Sequence, residues 1–204
     1  IFYVAGPDEF KSLFEKQTLS LFPNAVLTEQ VHDYNVYVDG GETVVAEVTL
    51  KKHPVYPLKT HEDFSADPLS VILNAFSKIE REGGGAAIQF VVRPPSHNYR
   101  KTFEGIKKDV EKGMKPGEAI SRSTTTGAVF STIGDLFASK PSQAQKEKPR
   151  EIDSEAIESF QKKLAADFVE VNIRLVVSAA NKNRAQQILT EIESTFNQFD
   201  TTNP

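Results

Sequence analysis

VNIRLVVSAANKNRAQQILTEIESTFNQF, residues 171–199, is a strand, a turn and a helix in that order. Val171, Ile173, Leu175 and Val177 alternate with Asn172 and Arg174, so one face is apolar and the other polar over a period of two. Residues 180–183 make the turn. Ala185, Ile188, Leu189, Ile192, Phe196 and Phe199 then recur at helical spacing and predict a buried stripe. The opening of the chain has the same plan: residues 1–5 (IFYVA) are apolar, Gly6-Pro7-Asp8 turns the chain, and residues 9–22 carry Phe10, Leu13, Phe14, Gln17 and Leu21 on one helical face. Strand–turn–helix units without catalytic residues point to a packing or docking domain.

Between these units the pattern continues. Residues 25–31 read as a strand. Residues 43–51 are a clearer one, with Val44, Ala46, Val48 and Leu50 alternating against Val45, Glu47, Thr49 and Lys51. Asp39-Gly40-Gly41 makes the turn before it. Pro54 and Pro57 mark residues 53–59 as an edge or a connection, since proline removes ladder donors. Asp67-Pro68 opens a helix with Leu69, Ile72, Leu73, Phe76 and Ile79 as its stripe, and Gly83-Gly84-Gly85 stops it. Residues 87–93 are the next strand. The order β-α-β-β-α-β predicts an α+β fold of the ferredoxin-like, split βαβ kind: a four-stranded antiparallel sheet with both helices on one face. The downstream strand–helix unit either joins this sheet at an edge or begins a second module.

Three regions are therefore expected: residues 1–114, the α+β module with an extra helix over 98–114; residues 115–152, a linker rich in Ser, Thr, Lys, Pro and Gly; and residues 153–204, a helix capped by Asp153 followed by the strand–helix unit. Within the linker, residues 128–138 (AVFSTIGDLFA) form an amphipathic island. Its Phe130, Ile133 and Phe137 are candidates either for packing as a lid or for binding a partner.

Composition sets outer bounds. The chain has 204 residues, 39% of them hydrophobic and 14 of them Phe, which is enough to bury a core. It has no cysteine, so disulfides and thiolate metal sites are excluded. A net charge of −4 argues against broad nonspecific DNA binding. No apolar run approaches the roughly 18 residues of a membrane span. The chain opens on Ile1 and is read as a piece of a longer protein.

Catalytic motifs are missing. Gly83-Gly84-Gly85 leads into Ala86-Ala87-Ile88, with no Lys or Ser placed to hold phosphate. No nucleophile elbow occurs. The histidines are His32, His53, His61 and His97. His32-Asp33 would point to opposite faces of a strand, and His61-Glu62-Asp63 is the nearest approach to a metal cluster. An enzyme reading rests only on a polar pocket within 53–63. No cofactor and no metal are expected. The candidate interaction residues are Glu47, Thr49 and Arg174 on polar strand faces, with Phe130, Ile133 and Phe137 of the island. A nucleic-acid alternative uses Arg93, Arg100, Lys101, Lys107 and Lys108 near Tyr99 and Phe103, but interleaved Glu104, Asp109 and Glu111 favour a solvated helix face.

Residues 45–60 (VAEVTLKKHPVYPLKT), 66–94 (ADPLSVILNAFSKIEREGGGAAIQFVVRP) and 171–199, with the opening FYVAGP, resemble the amino-terminal accessory region of large secretion or conjugation ATPases of candidate-phyla bacteria. Those proteins are similar to the type IV secretion traffic ATPases and DNA translocases. The resemblance implies a non-catalytic docking domain ahead of an ATP-driven motor. Its partners would be that motor and other subunits of a membrane machine, with a homo-oligomer among the options. Its place would be cytoplasmic, at a membrane through parts of the parent protein outside this chain. The matching motifs are structural, so no ATPase residue is carried over.

Overall fold

The computed structural model describes residues 1–30, 35–65, 67–77, 79, 84–125 and 152–199. The chain divides into two units, Ile1–Asn35 and Val36–Pro204.

In the first unit a short 3-10 turn, Asp8–Phe10, leads into helix α1, Lys11–Leu21. Proline at position 7 ends the preceding extended stretch, and Phe10 N–H donates to its carbonyl at 3.0 Å. Lys11 pairs with Glu29 at 2.6 Å, an exposed contact. Residues 1–5 and 25–30 are not strands, contrary to the sequence expectation. An apolar run becomes a strand only when a partner completes its ladder, and the second unit builds its sheet from other segments.

Among its described residues the second unit holds one antiparallel sheet of three strands: β1 (Glu42–Val48), β2 (Gly84–Arg93) and β3 (Glu170–Ala179), in the order β1-β3-β2. The α+β class with helices packed on one sheet face holds. The sheet has three strands instead of the expected four, and the downstream strand joins at its centre instead of an edge. The burial of β3 gives the reason. Leu175, Val177 and Ala179 are fully buried, and Ser178 on the opposite face is buried as well. A strand covered on both faces belongs in the middle. Ser178 is satisfied there by Val38 N–H at 3.0 Å and Thr43 Oγ1 at 3.2 Å. The same covering segment places the Val36 carbonyl where a side chain on Gly85 would begin, so only glycine fits.

Helices α2 (Pro68–Ser77) and α6 (Lys182–Thr195) close one face. Ala185, Ile188, Leu189 and Ile192 of α6 pack on Leu175, Val177 and Ala179, with Val44, Ala46, Phe76, Ala86 and Ile88 around them. Asn181 caps α6 by accepting from Arg184 N–H at 2.9 Å, and Asp67 accepts from Leu69 N–H at 2.9 Å at the start of α2.

A second core lies between β2 and β3 in sequence. Helices α3 (Tyr99–Glu111), α4 (Pro116–Thr125) and α5 (Ser154–Leu164) bury Phe103, Ile106, Val110, Ala119, Ala156 and Phe160 against Val55. Asp153 caps α5 as expected, accepting from Ala156 N–H at 2.9 Å. Residues Pro116–Thr125 are helical although their composition reads as linker. Ser121 and Ser123 turn their hydroxyls back onto the carbonyls of Gly117 and Ile120, at 2.9 and 2.7 Å, so their polar groups are spent inside the helix. Phe130, Ile133 and Phe137 lie outside the described residues, as do His32 and Asp33.

Candidate interaction surface

The sheet face turned away from α2 and α6 is open beyond the Ser178 end. Strand register sets its rows. Val45, Val176 and Ala87 lie side by side across the three strands, and Glu47, Arg174 and Gln89 form the next row. Two of the candidate residues, Glu47 and Arg174, are thus direct cross-strand partners. Thr49 is exposed one residue past the end of β1.

Arg174 is held through an intermediary. Its Nε donates to Asn172 Oδ1 at 2.6 Å, and Asn172 Nδ2 donates to Glu47 Oε1. The amide uses its acceptor for the cation and its donor for the anion. Both charged residues are exposed. The chain of bonds fixes the guanidinium stem and leaves its terminal nitrogens pointing at no acceptor among the described residues. Val45, 69% exposed, and Val91, 39% exposed, provide apolar flanks on the same face. A positioned planar fork among exposed valines is suited to a carboxylate or carbonyl on another protein surface. Asn172 escaped the sequence reading. Its alternation with Arg174 put it on the right face, but its bridging role requires Glu47, 125 residues away.

The five cations of the nucleic-acid alternative are mostly spent within the fold. Arg93 pairs with Glu170 at 2.6 Å, and Lys107 with Glu111 at 2.9 Å. Arg100 donates to the carbonyls of Leu164 and Ala166 at 2.6 and 3.1 Å and lies over the Phe168 ring. Lys101 and Lys108 are exposed on α3.

One cluster was not foreseen. The Glu170 carboxylate accepts from Ser96 Oγ at 2.5 Å, Ser96 N–H at 2.8 Å and Tyr99 O–H at 2.8 Å, besides Arg93. The two bonds from Ser96, then that from Tyr99, pull its pKa down to about 2. The His97 ring meets the same Ser96 oxygen at 2.7 Å. Ser, His and Glu are therefore together, but in the wrong order for nucleophilic catalysis. The hydroxyl proton is directed at a very weak base, Glu170, so the imidazole nitrogen stands to that oxygen as a donor and not as the base that would take its proton. The cluster instead ties the end of β2, the start of α3 and the start of β3. Glu170 lies more than seventy residues from the other members, so spacing carried no signal.

The polar pocket expected within 53–63 does not converge. His53 Nδ1 accepts from Val55 N–H at 3.2 Å, its ring stands edge-on to Phe103, and burial lowers its pKa. Asp63 accepts from Thr60 N–H and Oγ1 at 2.6 and 3.0 Å, closing a turn. Among the described residues no three His, Asp or Glu side chains are grouped to hold a metal, and no helix is long and apolar enough to cross a membrane.

A family model described as a domain of unknown function, DUF8128, matches residues 1–204. The chain belongs to the DUF8128 family. No curated protein and no solved structure matches it.

Proposed function

We propose that this DUF8128 chain is a non-catalytic docking domain that works through protein–protein contacts on the open face of its sheet. The observation that carries the reading is the Glu47–Asn172–Arg174 chain of hydrogen bonds, which holds an exposed guanidinium in place beside exposed valines. Rigid arginine forks with apolar surroundings are over-represented among the residues that dominate interface energetics. Following the resemblance, the domain serves a secretion or DNA-translocating ATPase of the type IV secretion and conjugation kind. Its partners are the motor domain of the parent protein and other subunits of that machine. It works on the cytoplasmic side, held at the membrane by parts of the parent outside this chain.

Two measurements test this. Titration calorimetry with ATP and magnesium is expected to give no binding heat, and micromolar affinity would overturn the reading. Binding to the motor domain of the same parent protein, followed by biolayer interferometry, is expected to weaken at least tenfold in Arg174→Glu. An unchanged affinity with an intact melting curve removes the sheet face from the interface.

A further inference from the structure

Residues 53–64 touch both cores of the second unit. Val55 is fully buried in the helical core, and Tyr56 packs there edge-on to Phe160 at 5.1 Å. Farther along, Lys59 Nζ donates to the Gln198 carbonyl at 3.1 Å, and Phe64 meets Phe199 edge-on at 5.3 Å. Phe199 lies beside Phe196, which packs on the sheet core. The segment is thus a strap from one core to the other.

The strap turns into the helical core at His53. Val55 N–H donates to His53 Nδ1 at 3.2 Å, Tyr56 N–H donates to the His53 carbonyl at 3.0 Å, and the ring stands edge-on to Phe103 of α3 at 6.0 Å. A ring nitrogen that accepts carries no proton. A proton added at Nδ1 would set one N–H against another and leave the Val55 amide without its acceptor. The turn therefore closes only on a neutral ring.

The charged groups on the elements packed here have other engagements. On α3, Tyr99 bonds Glu170, Arg100 donates to the Leu164 and Ala166 carbonyls, and Lys107 pairs with Glu111. Glu104, next to Phe103, is exposed, and His97 ahead of the helix meets the Ser96 hydroxyl. Lys52 lies over the Tyr56 ring, which also feels the Asp153 carboxylate at the α5 cap. Asp63, held ionised by Thr60, lies 3.7 Å from Lys162 of α5. Between about pH 5 and 8 these acids and bases keep their charges, and only imidazoles change theirs.

We propose that His53 is a pH-sensitive latch: neutral, it fastens the 53–56 turn into the helical core; protonated, it releases that turn while the strap stays tied to the sheet core. Burial of the ring opposes the charged form and lowers its pKa from the ordinary 6.5. The latch's contribution is therefore whole above pH 6.5 and is lost as pH falls toward the folded value. This device is separate from the open-face docking surface and does not depend on it.

Nuclear magnetic resonance on the whole chain tests it without any variant. Imidazole nitrogen shifts are expected to show Nδ1 unprotonated at about pH 7.5 and a midpoint for His53 below its ordinary value. Exchange protection of the Val55 and Tyr56 amides, corrected for intrinsic rate, is expected to fall about three- to tenfold from about pH 7.5 to about 5.5. His53→Asn keeps an acceptor, Oδ1, where Nδ1 stands and does not titrate; the other three histidines remain. That variant is expected to protect both amides at neutral pH and to lose the pH dependence. A proton on Nδ1 at neutral pH, or a midpoint at or above the ordinary value, overturns the proposal. So does protection that changes less than about twofold over the same range, or a fall that persists undiminished in His53→Asn.

Discussion

The two cores of the second unit are of similar size but are assembled by different rules. The sheet core is made by segments far apart in the chain. β1 pairs with β3 between Glu42↔Ala179 and Val48↔Ile173, more than a hundred residues apart, β2 pairs with β3 between Gly84↔Ala179 and Arg93↔Glu170, and α6 seals them. The helical core is nearly contiguous, with α3 and α4 running on from β2, and α5 leading directly into β3. Among the described residues, only the segment around Val55 and Tyr56 enters it from elsewhere. The difference teaches that periodicity identifies the members of both cores, while partnership is visible only where the members are neighbours in sequence.

Breaking each core in turn sharpens the contrast. The largest effect is expected from Phe160→Ala. Phe160 is fully buried and meets Tyr56 edge-to-face at 5.1 Å, so its loss costs about 3–5 kcal/mol by chemical denaturation. Leu175→Ala, at the centre of the sheet core, is expected to cost about 2–5 kcal/mol. If the cores unfold together, both variants shift one transition. If they are separable, Phe160→Ala splits the thermogram in two. Gly85→Ala tests whether the sheet depends on the crossing of residue 36, and is expected to cost about 1–3 kcal/mol because the obstruction is backbone. The caps come next: Asp153→Ala in the helical core and Asn181→Ala in the sheet core are each expected to cost about 1 kcal/mol.

The smallest change is one of shape, and it concerns the knot between the cores. Glu170 has its pKa lowered from the ordinary value of 4.5 to about 2 in the folded chain. Between those values the unfolded chain binds more protons, so stability rises with pH across that window. The contribution is complete above pH 4.5 and fades as pH falls toward 2. Glu170→Gln is expected to flatten the acid limb of the stability profile. An unchanged limb would mean the carboxylate is not held as the structure has it.

Much of this was legible before the structure. The alternation in residues 43–48 and 171–177, the stripe of α6, and the caps at Asp67 and Asp153 were read correctly because each is a local pattern with one dominant physical cause; of the stripe expected on α2, Phe76 and Ile79 pack on the core while Leu69 and Leu73 are exposed. The polar faces bearing Glu47 and Arg174 were legible for the same reason. Their register was not, because pairing depends on which strands compete for the centre. α4 was missed because Ser and Thr can satisfy themselves within a helix as well as in solvent. The runs at 1–5 and 25–30 were over-read, since β-forming residues without a ladder partner have nothing to hold them extended.

The place of β3 in the order of synthesis has a consequence of its own. β1 and β2 are not neighbours, and the strand that separates them arrives 77 residues after β2 ends, as the span from Arg93 to Glu170 measures. At about 5–20 residues per second, a ribosome needs roughly 4–15 s to make that stretch. For that interval two nascent strands wait with no middle, and chaperones have their best opportunity to hold them.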